Sequence, residues 1–102
     1  MHFIVHCLDH CAPSHRLQHY DAHKAYLATA RVMTLISGPL LANDGQTMIG
    51  SFFLVEADDI SDVIAFNQAD PFYKAGVWGS INIHPFLKRI DNREVENLAA
   101  GL

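Results

Sequence analysis

Apolar and polar residues alternate along the first segment of the chain, residues 2–8. Its two sides hold different sets of residues: Phe3, Val5 and Cys7 on one side, His2, Ile4 and His6 on the other. Alternation of period two, with β-branched and aromatic residues, is typical of a half-buried strand. Similar composition predicts three further strands, at residues 33–41, 48–56 and 78–86.

Two other segments have the spacing of helices. Residues 15–31 place Leu17 and four other apolar or aromatic side chains on one side, whereas Arg16 falls among the polar residues expected to face water. Ser14 is a suitable N-cap for this helix. A second helix is predicted for residues 58–67, because its two leading aspartates favour a helix N-terminus.

The order of these elements is β-α-β-β-α-β, which predicts an α+β fold of the ferredoxin-like kind. In that arrangement two helices cover one face of a four-stranded antiparallel sheet. The other face keeps apolar residues such as Ile4 and needs a cover. A second copy of the chain is the simplest cover, so the pattern predicts a homodimer with a cavity between the two sheets.

Composition narrows the class of protein. The chain has 102 residues and a formal net charge of −4, and no run of basic residues stands out, so nucleic acid is not an expected partner. Apolar runs are too short to span a membrane, and the N-terminus does not read as a signal peptide. We therefore expect a cytoplasmic protein with one domain at residues 1–88, and a tail or short helix at 89–102.

Histidines recur along the first helix, and His23 is the strongest candidate for chemistry. His15, His19 and His23 follow at four-residue spacing, but the outer two are about 12 Å apart along the axis and cannot share one metal ion. We expect no metal and no cofactor, and we expect His15 and His19 to face water. His23 lies near tyrosines, which indicates partial burial, and histidine exchanges protons near neutral pH.

Polar side chains are also predicted on the sheet face that the helices leave open. His6 on the first strand and Asn82 and His84 on the fourth share that face, and these strands are neighbours in a ferredoxin-like sheet. We expect the three side chains to line the same cavity as His23 and to bind substrate oxygens.

Two aspartates are candidates to orient His23. Asp70 precedes Pro71, a pair that commonly starts a turn, and Asp9 ends the first strand. Either carboxylate could hold the imidazole and stabilise its charged form, as the acid of a triad does. The sequence leaves both open: Asp70 as the catalytic partner of His23, and Asp9 as its alternative or as a substrate-binding acid at the mouth of the cavity.

Several short motifs, taken together, resemble the YciI-like (YCII-related) family. They are Ala22-His23-Lys24-Ala25-Tyr26-Leu27, Ser37-Gly38-Pro39-Leu40-Leu41, Asp44-Gly45, Ile49-Gly50-Ser51, Val55-Glu56-Ala57, Ala69-Asp70-Pro71-Phe72, Lys74-Ala75-Gly76 and Ile83-His84-Pro85-Phe86. The resemblance implies a dimeric α+β barrel and a cleft with a histidine–aspartate pair, matched here by His23 and Asp70. One departure is Tyr20, which stands where members often carry an arginine; Arg16 lies one turn earlier.

Two functions follow from these residues and the resemblance. The first is an acid–base enzyme, of the lyase or isomerase class, in which His23 takes a proton from a small aromatic or lactone-like molecule. The family includes enzymes that eliminate halide from chlorinated aromatic compounds. The second is a dimeric protein that binds a small molecule, or acts as an accessory protein, without proton chemistry.

Overall fold

Four antiparallel strands form one sheet in the computed structural model, which describes residues 1–93. The strands are β1 (His2–Asp9), β2 (Met33–Leu41), β3 (Met48–Glu56) and β4 (Trp78–Phe86). Their spatial order is β2-β3-β1-β4. β3 is therefore a central strand, with β2 on one side and β1 on the other.

Three helices connect the strands and cover one face of the sheet. They are α1 (Pro13–Thr29), α2 (Ile60–Gln68) and α3 (Pro71–Lys74), of which α3 is a single turn. The α+β fold with a four-stranded antiparallel sheet and its helices on one side is therefore confirmed.

The core lies between the helices and the inner face of the sheet. Its buried side chains come from every layer: Phe3, Val5, Cys7, Phe53, Val55, Val63, Phe66, Phe72, Val77 and Trp78. The predicted alternation of β1 is correct, because Phe3, Val5 and Cys7 are all buried on the helix side. Burial of such side chains is the main favourable term in folding.

Strand register fixes what the open face contains. His6 stands opposite Phe52 on β3 and opposite Asn82 on β4, and Ile4 stands opposite His84. Apolar side chains share this face, and Leu8 remains exposed there. The open face is thus a mixture of apolar and polar groups in a single chain.

Two predictions about α1 are wrong. The helix begins at Pro13, not after Ser14, because proline fits the first helical position, where its missing N–H is not needed. The side of α1 that faces the sheet also differs from the predicted one: Arg16 is only 2% exposed, whereas Leu17 is 61% exposed. Arg16 is buried because partners for its charge lie beneath the helix, as the site shows.

The tail prediction falls mostly beyond the described part of the chain. Of residues 89–102, only 89–93 are described, so the expected tail or short helix lies largely outside it. Within residues 1–93, no helix is long and apolar enough to cross a membrane.

Candidate active site

His23 is held on the inner side of α1, where the helix faces the sheet. His23 is 6% exposed. The imidazole stacks on Phe72, with centroids 4.0 Å apart and planes 9° from parallel, and Phe53 and Trp78 approach it edge-on. These aromatic neighbours fix the plane of the ring and leave it little freedom to rotate.

Asp70 is the partner of His23. It is 1% exposed, and its two carboxylate oxygens lie 2.8 and 2.9 Å from His23 Nδ1. The same carboxylate caps α3 by accepting the backbone N–H of Phe72 at 2.8 Å. The Asp70-Pro71 pair therefore starts a helical turn and also orients the imidazole. Because a carboxylate only accepts hydrogen bonds, Nδ1 carries the proton in this pair.

The other ring nitrogen of His23 is directed towards a cavity. No buried side-chain nitrogen or oxygen among residues 1–93 lacks a hydrogen-bond partner, and Nε2 has no partner there. Nε2 must therefore be accessible. His23 lines a cavity of about 230 Å³ between α1, the Ser37–Pro39 segment of β2, and β3. A neutral imidazole with a proton on Nδ1 presents a lone pair at Nε2, which can accept a proton.

Arg16 forms the second polar cluster of this cavity. Its Nε and Nη2 donate to the two carboxylate oxygens of Asp9 at 2.7 and 3.2 Å. Nη2 also donates to the Ser51 hydroxyl at 2.6 Å. The guanidinium lies over the Phe72 ring, 4.6 Å from its centroid. Phe72 thus packs against both the His23 ring and the Arg16 charge.

Asp9 is therefore the partner of Arg16 and does not contact His23. This answers the alternative that the sequence left open: Asp70, and not Asp9, orients the histidine. Arg16 was missed as a site residue because a charged side chain next to an apolar stripe is normally assigned to the water side. The one signal in the sequence was its position one turn before Tyr20, which stands where the resembling family often carries an arginine.

His6, Asn82 and His84 do not share this cavity. Val5 stands opposite Phe53, which contacts His23, so the helix side of the sheet holds His23. His6 is on the opposite face, opposite Asn82. The expectation of one cavity for all these residues is corrected to two groups separated by the sheet. Their substrate-binding role, and that of Asp9, stays a prediction.

The two remaining histidines of α1 have structural contacts. His15 Nε2–H donates to the Ala75 carbonyl at 2.8 Å, and the His15 and His19 rings meet edge-on. Both are half-buried, so the expectation that they face water is wrong. Among residues 1–93, no three histidine, cysteine, aspartate or glutamate side chains are grouped to hold a metal ion.

Cys7 is buried in the core on the helix side of the sheet. Burial raises its pKa to about 12, so the thiolate is scarce at neutral pH. A larger cavity, of about 760 Å³, opens at the far end of α1 and α2, where Met1, Tyr26 and Phe66 are among its lining residues. His23 does not reach it, so size alone does not identify the site.

The fold and this pair define a class: a small α+β protein with a buried histidine–aspartate pair beneath its first helix. The model of the YCII-related domain matches residues 1–87, and the chain belongs to that family. The resemblance read from the sequence is confirmed. Curated proteins give no significant match.

One solved structure among those that match is 5-chloro-2-hydroxyhydroquinone dehydrochlorinase (TftG) from Burkholderia phenoliruptrix AC1100, in complex with 2,5-dihydroxybenzoquinone. It is 29% identical in sequence, covers 85% of this chain and 94% of its own, and superposes with a TM-score of 0.76. The shared fold is that of the dimeric α+β barrels.

Proposed function

We propose that this protein is an acid–base enzyme that eliminates a leaving group from, or isomerises, a small oxygenated ring compound. The observation that carries the proposal is the geometry of His23: Asp70 holds Nδ1 at 2.8 Å, and Nε2 is accessible at a cavity. His23 acts as the base and Asp70 as the group that orients it and stabilises the imidazolium.

The reaction begins with transfer of a substrate proton to His23 Nε2. In an elimination, the electron pair released moves into the ring and a leaving anion such as chloride departs, so that the elements of HCl are lost in total. In an isomerisation, the proton returns to a different atom of the substrate. The dehydrochlorinase activity named for the similar solved structure supports elimination.

The size of the cavity supports a single-ring substrate. Its volume is about 230 Å³, and a cavity of about 150 Å³ is enough to bind benzene. The space therefore accommodates one ring with a few substituents, but not a large ligand. Tyr20 and Phe53 supply flat apolar surface in the lining, whereas Ser51 supplies a polar group.

Turnover of 5-chloro-2-hydroxyhydroquinone, followed by chloride release, is the first experiment. Removing the base in His23→Ala should lower kcat/KM by about a hundredfold to ten-thousandfold. Asp70→Asn should also lower it, because an amide can hold the imidazole in the wrong tautomer. His19→Ala is the matched control, since His19 lies one turn earlier on α1 and is not part of the cavity lining.

Two results would contradict the proposal. One is a His23→Ala enzyme as active as the unchanged protein. The other is a protein that binds 2,5-dihydroxybenzoquinone but turns over neither the chlorinated compound nor related lactones, which would favour the non-catalytic binding protein.

We also propose a homodimer in which a second copy covers the open face of the sheet. Exposed Leu8, Ile36 and Phe86 support it, because their strands would otherwise leave apolar side chains in water. A mass of one chain, 11.4 kDa, in light scattering at micromolar concentration would contradict it. A cytoplasmic location remains part of this proposal, supported by two cysteines that are both free.

A further inference from the structure

The Ser51 hydroxyl is buried at the wall of the cavity, where two donors point at it. Arg16 Nη2 donates to its oxygen at 2.6 Å, and Trp78 Nε1 donates at 3.2 Å. Ser51 is 2% exposed, and it lines the same cavity as His23.

These two hydrogen bonds determine where the hydroxyl proton can go. A serine hydroxyl has two lone pairs and one O–H. Both lone pairs of Ser51 are occupied by donors that cannot accept a proton in return, since guanidinium and indole N–H groups only donate. The O–H must point in the remaining direction, and no residue among 1–93 accepts it in the structure.

The same partners exclude a nucleophilic role for Ser51. A serine nucleophile needs an adjacent base to take its proton. The two groups that contact the Ser51 oxygen are both donors, and the base of this site, His23 Nε2, makes no hydrogen bond to it in the structure. The Ser51 hydroxyl is arranged to donate and not to attack.

We infer that Ser51 donates its O–H to an oxygen of the substrate and selects molecules that gain negative charge on that oxygen. The inference rests on the proposed function, in which His23 removes a proton from the same molecule. Hydrogen bonds that converge on a hydroxyl strengthen it as a donor, and the Arg16 charge behind Ser51 favours an anionic acceptor.

The substrate class follows from these two groups. The molecule must carry a proton that His23 Nε2 can remove. It must also carry an oxygen, of a carbonyl, phenolate or enolate, that can accept a hydrogen bond from the Ser51 hydroxyl. Hydroxyquinones and enolisable cyclic ketones meet both requirements. Ring compounds whose oxygens are all neutral hydroxyls meet the second requirement less well, because a neutral hydroxyl is a weaker acceptor than an anionic oxygen.

Binding of two probes to the full chain tests this. The probes are 2,5-dihydroxybenzoquinone, which has carbonyl oxygens, and hydroquinone, which has none; calorimetry and the visible spectrum of the quinone report binding. Ser51→Ala should weaken binding of the quinone by about ten- to a hundredfold, as expected for losing a hydrogen bond to a charged group. Hydroquinone binding should change much less. Ser51→Thr, which keeps the hydroxyl, should restore the affinity and the spectrum of the bound quinone.

The controls separate donation from a structural role. Ser14→Ala removes an exposed hydroxyl on α1, away from the cavity, and should bind both probes as the unchanged protein does. If Ser51→Ala fails to fold, Ser51→Cys takes its place, because a thiol is similar in size but a weak donor. An equal loss for both probes, or no loss for the quinone, overturns the inference.

The result also distinguishes this inference from the proposed function. If the quinone binds, and His23→Ala abolishes turnover while Ser51→Ala binds normally, only the inference fails. If neither probe binds the unchanged protein, both fail together.

Discussion

The two faces of the sheet carry polar side chains in very different states. On the helix side, Arg16, His23 and Asp70 are each buried, and each has a partner within 3 Å. On the open face, Asn82 has one weak hydrogen bond, to the Ser80 hydroxyl at 3.3 Å, and is exposed. A buried charge requires fixed partners, because leaving it unpaired is costly. The polar side chains on the helix side are therefore held in one arrangement by their partners, and Asn82 on the open face is not.

The difference shows why a polar cluster on a strand is weak evidence for a site. Strand periodicity correctly placed His6 and Asn82 on the same face and opposite each other. It did not show that Arg16, His23 and Asp70 lie on the helix side around Phe72, because the pattern assigned that side to the apolar core. Aromatic stacking and ion pairs make that group rigid, which is what proton transfer at a defined atom requires.

The largest predicted effect is on the buried ion pair of the helix side. Asp9→Ala leaves the Arg16 charge buried with only the Ser51 hydroxyl and the Phe72 ring as partners. We expect the free energy of unfolding to fall by about 3–5 kcal/mol, measured by urea denaturation.

The matched control is Asp21→Ala, which removes an exposed ion pair with Lys24 on the same helix, 3.5 Å long. Its expected effect is below about 1 kcal/mol. Equal effects of the two substitutions would show that the Arg16–Asp9 pair is no more important than a surface pair, and the contrast between the faces would be lost.

A smaller effect is predicted for the thiol in the core. Burial raises the pKa of Cys7 from 9.0 to about 12, so the fold favours the neutral thiol. The stability that this gives is complete below pH 9 and is lost as the pH rises towards 12. Between pH 8 and pH 10, the free energy of unfolding of the unchanged protein should fall by about 1 kcal/mol more than that of Cys7→Ala.

The comparison is made by denaturation at pH 8 and pH 10. Cys11→Ala serves as the control, because Cys11 is only half-buried in the loop before α1. If Cys7→Ala loses as much stability as the unchanged protein over this pH range, the thiol does not titrate as its burial requires.

Much of the fold could be predicted from the sequence because strand alternation depends only on local spacing. The predicted bounds of β2, β3 and β4 agree with the structure. The first helix begins and ends two residues earlier than predicted, and the second begins two residues later and ends one residue later. Spacing could not assign the sides of α1. A rotation of one residue, about 100°, exchanges Arg16 with Leu17, and only tertiary partners decide between them.

The site was predictable in part. The family motifs pointed to His23 and Asp70, and the structure brings these two together. The Arg16–Asp9–Ser51 cluster was not predictable, because its members come from α1, β1 and β3 and have no shared motif. Their meeting depends on the crossing of α1 over the sheet, which no local pattern in the chain specifies.

The smallest effect is predicted for the open face. Asn82→Ala removes one exposed hydrogen bond, so stability should change by no more than about 0.5 kcal/mol. Affinity for 2,5-dihydroxybenzoquinone should also stay within about twofold if the site is the cavity beneath α1, since a surface change remote from a ligand leaves its contacts intact. Both measurements are made at the same protein concentration, so that assembly does not differ between samples. A loss of affinity above tenfold would assign substrate binding to the face that carries His6 and Asn82, and the cavity beside His23 would then be a structural feature of the core.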